Sequence, residues 1–260
     1  MTTALVTGAS SGIGAVFAEQ LASRKHDLIL VARSQDKLQA IADKLSQQHS
    51  IQATVIVQDL TEPNAGKTVF THVQQQGITV DLLINNAGFG TYGEFADGVL
   101  DTHLNMIQLN VVALTELTHL YLPQMRSRRS GSIINIGSTA SFQPIPYFAV
   151  YAATKAFVLS FSEALWQECK PYNVKVLAVC PGPTETEFFK VADFPDSLGE
   201  QVGQNYTSPE TVVEEALKAL EQGHANVVPG GFLNQLLVNS ARFLPRELLV
   251  NGVGRVFKAN

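Results

Sequence analysis

Residues 3–14 read Thr3-Ala4-Leu5-Val6-Thr7-Gly8-Ala9-Ser10-Ser11-Gly12-Ile13-Gly14, and Ala15 to Arg24 continue with helical periodicity. The apolar run from Thr3 to Thr7 has the length and composition of a short buried strand. It runs into a turn of three glycines and two serines, and a helix follows at once. That order builds an anion site. Glycines let the backbone come close to a pyrophosphate, and the first turn of a helix presents N–H groups with no partner of their own. A tight strand-to-helix turn with no ligand is the bland alternative, and three glycines with two serines make it the weaker one. The spacing is Gly-x-x-x-Gly-x-Gly, which departs from the Gly-x-Gly-x-x-Gly of the usual dinucleotide fingerprint. Gly8, Ser10, Ser11, Gly12, Ile13 and Gly14 are the candidate phosphate contacts.

Working outward, Asp27 to Ala32 reads as a second buried strand that ends at Arg33. Dinucleotide folds place an acidic side chain near this strand end to take a ribose 2′-hydroxyl. Here the end is Val31-Ala32-Arg33-Ser34, with no carboxylate. An arginine suits a 2′-phosphate instead, through charge-assisted hydrogen bonds. The expected cofactor is therefore NADP(H), against the alternative of a solvated arginine opening the next helix. Ser34 to Gln48 is an amphipathic helix and Ile51 to Val57 a strand, closed by Asp59-Leu60. Asp59 is placed to bond an adenine amino group or to cap the helix after Pro63, and the two readings are compatible. Pro63 to Gln76 is a helix and Val80 to Ile84 a strand, followed by Asn85-Asn86-Ala87-Gly88. Such alternation with short connections predicts an α/β fold, a doubly wound parallel sheet with helices on both faces.

Composition sets the outer limits. The chain has 260 residues, 45% hydrophobic and 16% charged, enough for one large domain with a buried core. A net charge of −5 gives no general nucleic-acid surface. The basic cluster Arg126-Ser127-Arg128-Arg129 reads as a solvated loop between a helix and a strand. Cys169 and Cys180 form no disulfide framework and are expected reduced and buried. No metal site is expected. The N-terminus enters a strand almost at once, without signal-peptide features, and no apolar run reaches the roughly 18 residues of a spanning helix. A cytoplasmic location is the expectation.

The chemistry falls between Ile136 and Phe157. Ser132 to Ile136 is strand-like, Ser138 follows it, and Tyr151 and Lys155 lie four apart in a segment that favours helix. That spacing puts both side chains on one face. A phenol with a pKa of about 10 is a poor acid or base at neutral pH. A fixed ammonium nearby stabilises the phenolate and lowers that value. A hydroxyl from the strand end could hold a carbonyl oxygen against the phenol. The chain has six tyrosines, and only Tyr151 has a lysine four residues on. Taken alone, the pair is explained as readily by chance.

Together these pieces resemble the short-chain dehydrogenase/reductase family, from Thr3 to about Val228. The likeness is carried by Thr7-Gly8-Ala-Ser-Ser-Gly12-Ile-Gly14, Asp59, Asn85-Asn86-Ala87-Gly88, Asn110, Ser138, Tyr151 with Lys155, and Pro181-Gly182. It implies a single Rossmann-like domain over 1–229 with an apolar helical extension, 230–260, packed on it. It implies that Asn86, Ala87 and Gly88 line the cofactor beside the adenosine ribose. Asn110 would kink its helix and hold a water linking Lys155 to solvent. Pro181, Gly182, Thr184 and Thr186 would hold the nicotinamide carboxamide. NADPH would deliver a hydride to a carbonyl carbon while Ser138 bonds the oxygen and Tyr151 protonates it. Lys155 would bond the nicotinamide ribose and lower the Tyr151 pKa. The Pro181-to-Phe188 run resembles a subgroup whose better-known relatives include hydroxysteroid dehydrogenases and ketoacyl reductases.

The second half supplies the expected pocket. Asn105 to Met125 and Val150 to Cys169 read as long apolar helices. In the family such helices pair across a dimer axis, which implies a homodimer or homotetramer; full burial in the monomer is the alternative. Glu185 to Tyr206 suits a mobile lid. Its Phe188 and Phe189, with Phe89, Phe142, Ile145 and Tyr147, give a mostly apolar pocket for a small lipophilic carbonyl or alcohol, with no charged anchor. Ser208 to Gln222 is a helix and Asn226 to Val228 a last strand. The tail carries Phe232, Leu233, Leu236, Leu237 and Val238, then Phe243, Leu244, Leu248, Leu249 and Val250. Cover for the pocket, an oligomer contact and a peripheral membrane contact are its readings, ranked in that order. An NADP-binding regulator or scaffold without chemistry is the competing function, and the intact Asn110, Ser138, Tyr151 and Lys155 speak against it. A sugar-nucleotide epimerase would need a larger C-terminal substrate domain.

Overall fold

In the computed structural model, residues 2–195, 206–231, 234, 235, 238 and 244–258 are described. Strand β1 (Thr3–Thr7) is the pivot. Alternate residues of a strand face opposite ways, and those of β1 enter two separate apolar layers. Ala4 and Val6 pack with Phe17, Leu21, Leu30 and Leu38; Leu5 packs with Ile29, Val69, Leu83 and Leu117. A strand covered on both faces must be apolar throughout, which is why residues 3–7 show no polar alternation.

The chain winds outward from β1 in two directions. First come α1 (Gly12–Ser23), β2 (Asp27–Ala32), α2 (Gln35–His49), β3 (Ala53–Val57) and α3 (Ala65–Gln75). It then crosses to β4 (Leu82–Asn85) on the other side of β1 and continues through α4 (Leu100–Ile107), α5 (Leu114–Arg128) and β5 (Gly131–Ile136). There follow α6 (Ala149–Cys169), β6 (Val174–Val179), the short α7 (Phe188–Val191), α8 (Pro209–Gln222), β7 (Asn226–Val227) and α9 (Arg246–Phe257). The seven strands are ordered β3-β2-β1-β4-β5-β6-β7, and every pairing is parallel. The order reverses between β1 and β4, so the loops at their carboxyl ends part and leave a crevice. The doubly wound parallel sheet expected from the sequence is the fold observed.

Three local readings change. The helix expected over Asn105 to Met125 is divided: a π-helical turn, Gln108–Ala113, separates α4 from α5. Asn110 sits inside that turn, where its side chain bonds a neighbouring loop. The cluster Arg126 to Arg129 is no free loop, because α5 extends through Arg128. Arg126 lies 3.9 Å over the Tyr172 ring, and Arg128 donates to the Val80 carbonyl and pairs with Asp81 at 3.6 Å. Asp59 does not cap α3, whose N-cap is Asn64.

A polar thread runs through the apolar layers. Asn85 Nδ2 donates to Thr118 Oγ1 at 3.1 Å and to Asn135 Oδ1 at 2.8 Å, and Asn135 Nδ2 donates to Ser162 Oγ at 2.9 Å. These bonds tie β4 and β5 to α5 and α6, and so fix the strand ends that carry the site. Both cysteines are free and buried. No helix among the described residues is long and apolar enough to cross a membrane. Of the expected lid, residues 196–205 lie outside the described residues, as do Phe232, Leu233, Leu236, Leu237 and Phe243 of the tail.

Candidate active site

The turn after β1 forms the first wall. Gly8 and Gly12 have φ of 64° and 53°, the left-handed region where a side chain is strained. A Cβ on Gly8 would lie 2.8 Å from Asn86 Nδ2. The turn is held by one buried hydroxyl. Thr7 Oγ1 accepts from the backbone N–H groups of Asn86 at 2.9 Å and Ala87 at 3.0 Å, and donates to the Ile84 carbonyl at 3.2 Å. Asn86 Nδ2 returns the tie by donating to the Thr7 and Gly8 carbonyls. The β1 and β4 loops are thus locked to each other across the crevice.

That crevice is a cleft of about 680 Å³. Gly8, Ser10, Ser11, Gly12, Ile13, Arg33, Asp59, Leu60, Asn86, Ala87 and Gly88 line one part of it. Ser138, Tyr151, Lys155, Pro181, Gly182, Thr184 and Thr186 line the other. Two candidates stand behind the wall. Gly14 is packed against the Gly8 carbonyl, so its missing side chain lets α1 close on the turn. Asn110, 1% exposed, donates to the Phe89 carbonyl at 2.9 Å and to Thr154 Oγ1 at 3.1 Å, and accepts from Phe89 N–H at 3.1 Å. It therefore shapes the loop after β4. Gly88 lies between Asn110 and the Lys155 ammonium, 2.9 Å and 3.5 Å from where its Cβ would be.

At one end Arg33 projects into solvent, 76% exposed, with Nη1 3.7 Å from Asp59 Oδ2. Asp59 Oδ1 accepts from the Thr61 backbone at 2.9 Å and its hydroxyl at 2.7 Å. Burial pushes the Asp59 carboxyl up, but the Thr61 bonds and the Arg33 guanidinium outweigh it and leave the pKa below its usual value.

At the other end Ser138 follows β5 and caps a short 3-10 turn, Thr139–Phe142. Its hydroxyl accepts from Ala140 N–H at 3.1 Å, while its own N–H donates to Ser141 Oγ at 3.2 Å. The Ser138 hydroxyl lies close enough to Tyr151 to favour its ionised form. Lys155 Nζ lies 5.7 Å from the Tyr151 ring centroid and donates to the Ile136 carbonyl at 2.7 Å. The sequence reading had Lys155 lowering the Tyr151 pKa, and the structure gives the opposite net direction. Burial pushes the phenol well above its ordinary value, and the neighbouring Ser138 hydroxyl offsets only part of this. Lys155, equally buried, is pushed down to about 8. Beside them burial pushes the Cys180 thiol up to about 12, so it stays protonated.

Phe89, Ile145, Phe188 and Phe189 line the cleft as expected, but Phe142 and Tyr147 do not. Phe142 packs against Leu159, Ala178 and Cys180. Tyr147 has φ of 63° and sets its ring beside Tyr92. The lining residues that sequence reasoning missed include Leu109, Gln143, Phe148, Val191, Phe194 and Phe257. Phe148 had a local signal: it lies three before Tyr151, and their ring centroids are 4.5 Å apart. Phe257 had none, because it comes from α9 at the far end of the chain. Its ring meets Phe194 at 6.0 Å, and its carbonyl accepts from the Tyr92 hydroxyl at 2.6 Å.

Comparison with known proteins supplies the rest. The sequence pattern of the family described as short chain dehydrogenase matches residues 2–194. The chain is 32% identical to the very-long-chain 3-oxoacyl-CoA reductase of Bos taurus, over 94% of this chain and 76% of that protein. Among solved structures, a short-chain dehydrogenase from Sphingobium yanoikuyae in complex with NADPH superposes with a TM-score of 0.83 at 33% identity, covering 94% of each chain. A bulky-bulky ketone specific alcohol dehydrogenase from Comamonas testosteroni gives 0.79 at 31% identity, over 94% of this chain and 92% of that one.

Proposed function

The chain belongs to the short chain dehydrogenase family, and from that premise we propose that it is an NADP-dependent oxidoreductase acting on the carbonyl or secondary alcohol of a small lipophilic molecule. The observation that carries this reading is one continuous cleft. It joins a glycine cradle and an exposed arginine to a half-buried serine beside a buried tyrosine, walled by aromatic rings.

The residues present fit the cofactor. Side chains on Gly8 and Gly12 would be strained and crowded, and the strand end carries Arg33 in place of a free acid. Gly8, Ser10, Ser11, Gly12 and Ile13 would hold the pyrophosphate at the start of α1, and Arg33 a 2′-phosphate. Asp59 and Leu60 would meet the adenine, and Asn86 to Gly88 the adenosine ribose. Lys155 would hold the nicotinamide ribose, and Pro181, Gly182, Thr184 and Thr186 the carboxamide. When bound, the cofactor supplies or accepts the hydride.

The protein handles the oxygen. Ser138 donates a hydrogen bond to the carbonyl oxygen and keeps it against Tyr151. Tyr151 gives that oxygen its proton as the alcohol forms. A phenol held above its ordinary pKa retains its proton at neutral pH, which suits reduction. Asn110 fixes the loop that backs Lys155. Phe148, Phe188, Phe194 and Phe257 exclude water and receive an apolar substrate. The 3-oxoacyl-CoA and bulky-ketone specificities named for the relatives favour a lipophilic carbonyl. Residues 1–229 serve as the Rossmann-like domain and 230–260 as an extension of it, in which Phe257 of α9 lines the pocket. Cytoplasmic residence and a homodimer or homotetramer complete the proposal, with membrane contact by the tail ranked below both.

The test is NADPH oxidation by the purified protein over ketosteroids, 3-oxo thioesters, aldehydes and bulky aryl ketones. Turnover of at least one lipophilic carbonyl is expected. A protein that binds NADPH and reduces none would instead support the scaffold reading.

A further inference from the structure

Past Tyr151 the cleft is lined mainly by Phe89, Ile145, Phe148, Phe188, Phe194 and Phe257, and a long uncharged polar residue, Gln143, interrupts that wall. Its backbone is extended, with φ −153° and ψ 151°, where the 3-10 turn after Ser138 ends. In extended chain alternate residues share a face, and Gln143 and Ile145 both line the cleft while Pro144 does not. The polar side chains around it already have internal partners. Ser138 accepts from Ala140 N–H, Thr184 donates to the Gly182 carbonyl, Thr186 donates to the Thr184 carbonyl, and Glu187 pairs with Lys190. Among the described residues lining this end, Thr139 and Gln143 carry uncharged side chains, away from the Ser138–Tyr151 pair, with neither a hydrogen bond nor an ion pair inside the protein. Gln143 alone offers both a donor and an acceptor on a flexible stem.

A half-buried amide facing an apolar cavity is an expensive neighbour for an apolar ligand. A substrate that covers it without bonding it strips its water and leaves it unsatisfied. A substrate with a matching polar atom recovers that loss, and a site built this way discriminates strongly against analogues lacking the atom. Gln143 shares a short loop with Ser138, so the matching atom belongs close to the oxygen that Ser138 and Tyr151 hold.

We propose that Gln143 is a specificity-determining residue that donates a hydrogen bond to a second carbonyl oxygen near the one being reduced, selecting 3-oxo esters or thioesters over plain ketones. This rests on the carbonyl-reductase reading above.

The test uses two substrates of equal length, ethyl 3-oxohexanoate and nonan-4-one, with NADPH, in wild-type protein and in Gln143→Leu. The quantity read is the ratio of kcat/KM for the ester to that for the ketone. Comparing the ratio between proteins cancels the intrinsic reactivity of the two carbonyls. The ratio should fall by about tenfold or more in the variant, carried mainly by KM for the ester. Gln143→Met, unbranched and of similar length, is the second variant should the leucine disturb the loop; NADPH titration and thermal melting report folding for each. A ratio unchanged within about threefold in a folded variant overturns the proposal and leaves the carbonyl-reductase reading standing. Wild-type protein that reduces neither these nor any other carbonyl overturns both.

Discussion

Tyr151 and Lys155 sit in one buried space, and burial acts on them in opposite directions. Loss of water disfavours a phenolate and an ammonium alike, so the phenol goes up and the amine comes down to about 8. A neutral phenol exerts little field on the amine, and the lysine spends its nearest bond on the Ile136 carbonyl. The proton on Tyr151 is then available for transfer across the neutral range. Tyr151→Phe keeps the ring packed on Phe148 and removes the donor. Turnover should fall about 100- to 10,000-fold while NADPH affinity, measured by fluorescence titration, survives. Near-wild-type turnover in a folded, cofactor-binding Tyr151→Phe protein would sink the mechanism. Lys155 makes a separate prediction on stability. Its pKa falls from 10.5 to about 8 on folding. Between those values the unfolded chain binds a proton the folded chain has released, so raising the pH favours the folded state. The contribution is fully present above the unfolded value and is lost as pH falls through the folded one. Melting temperatures of wild type and Lys155→Met, compared from about pH 7.5 to 9.5, should therefore diverge in favour of wild type as pH rises. A constant difference would place the Lys155 pKa outside that window. The spacing of the two residues was legible in the sequence, but the direction of the tyrosine shift was not, because burial is decided by elements distant in the chain.

The strand-turn-helix unit was legible for the same reason that it works. An apolar strand, positive-φ glycines and a helix start are all local, so residues 3–24 announced both the fold and the anion site. What fixes that unit is not local. Thr7 closes β1, but its hydroxyl serves Asn86, Ala87 and Ile84, on a strand and loop reached only after three crossovers. Nothing in the sequence around Thr7 distinguishes it from any strand-end threonine. The same holds for Asn110. Its place in a π-helical turn makes sense only once Phe89 and Thr154 are seen beside it. Thr7→Val keeps the shape and removes the hydroxyl, leaving the Ala87 N–H without an acceptor and the Asn86 N–H with only the Ile84 carbonyl. The expected cost is about 1–3 kcal/mol in urea unfolding, with weaker NADPH binding because the glycine turn loosens. Thr7→Ser retains the hydroxyl and should restore most of both. If valine and serine variants prove equally stable, the hydroxyl is not what holds the two loops together.

At the scale of the molecule, the most informative surface is one a monomer gains nothing from exposing. Phe95, Val99, Leu100 and Leu104 are each more than half exposed, and Ile107 and Val112 are 39% and 42% exposed. Leu100, Leu104 and Ile107 recur at four and three residues, which places them on one face of α4. A shallow apolar groove lies beside them, lined by Phe95, Ile107 and Val111 with Ala149, Val150 and Ala153 of α6. The sequence indicated apolar helices here but could not separate a covered core from an interface. Helix α6 buries Tyr151, Ala152 and Lys155 while leaving Phe157 39% exposed, so one side of it is core and the other is open. An exposed apolar face of this kind marks an association surface, and a two-fold arrangement would set it against its own copy. The consequence for function is rigidity, since α6 carries both Tyr151 and Lys155. Light scattering on wild-type protein at micromolar concentration should therefore give a mass at least twice the 28.1 kDa of the chain. Leu104→Lys should shift it toward the monomer, because a buried interfacial charge has no partner there. The substitution sits on the monomer surface, so by itself it should change folding stability by no more than about 0.5 kcal/mol. Any larger loss of stability or turnover in the dissociated variant then measures what the second copy contributes to holding α6 in place. Wild-type protein that is monomeric under these conditions would show instead that the face is bare in solution and that α6 is held by its own fold alone.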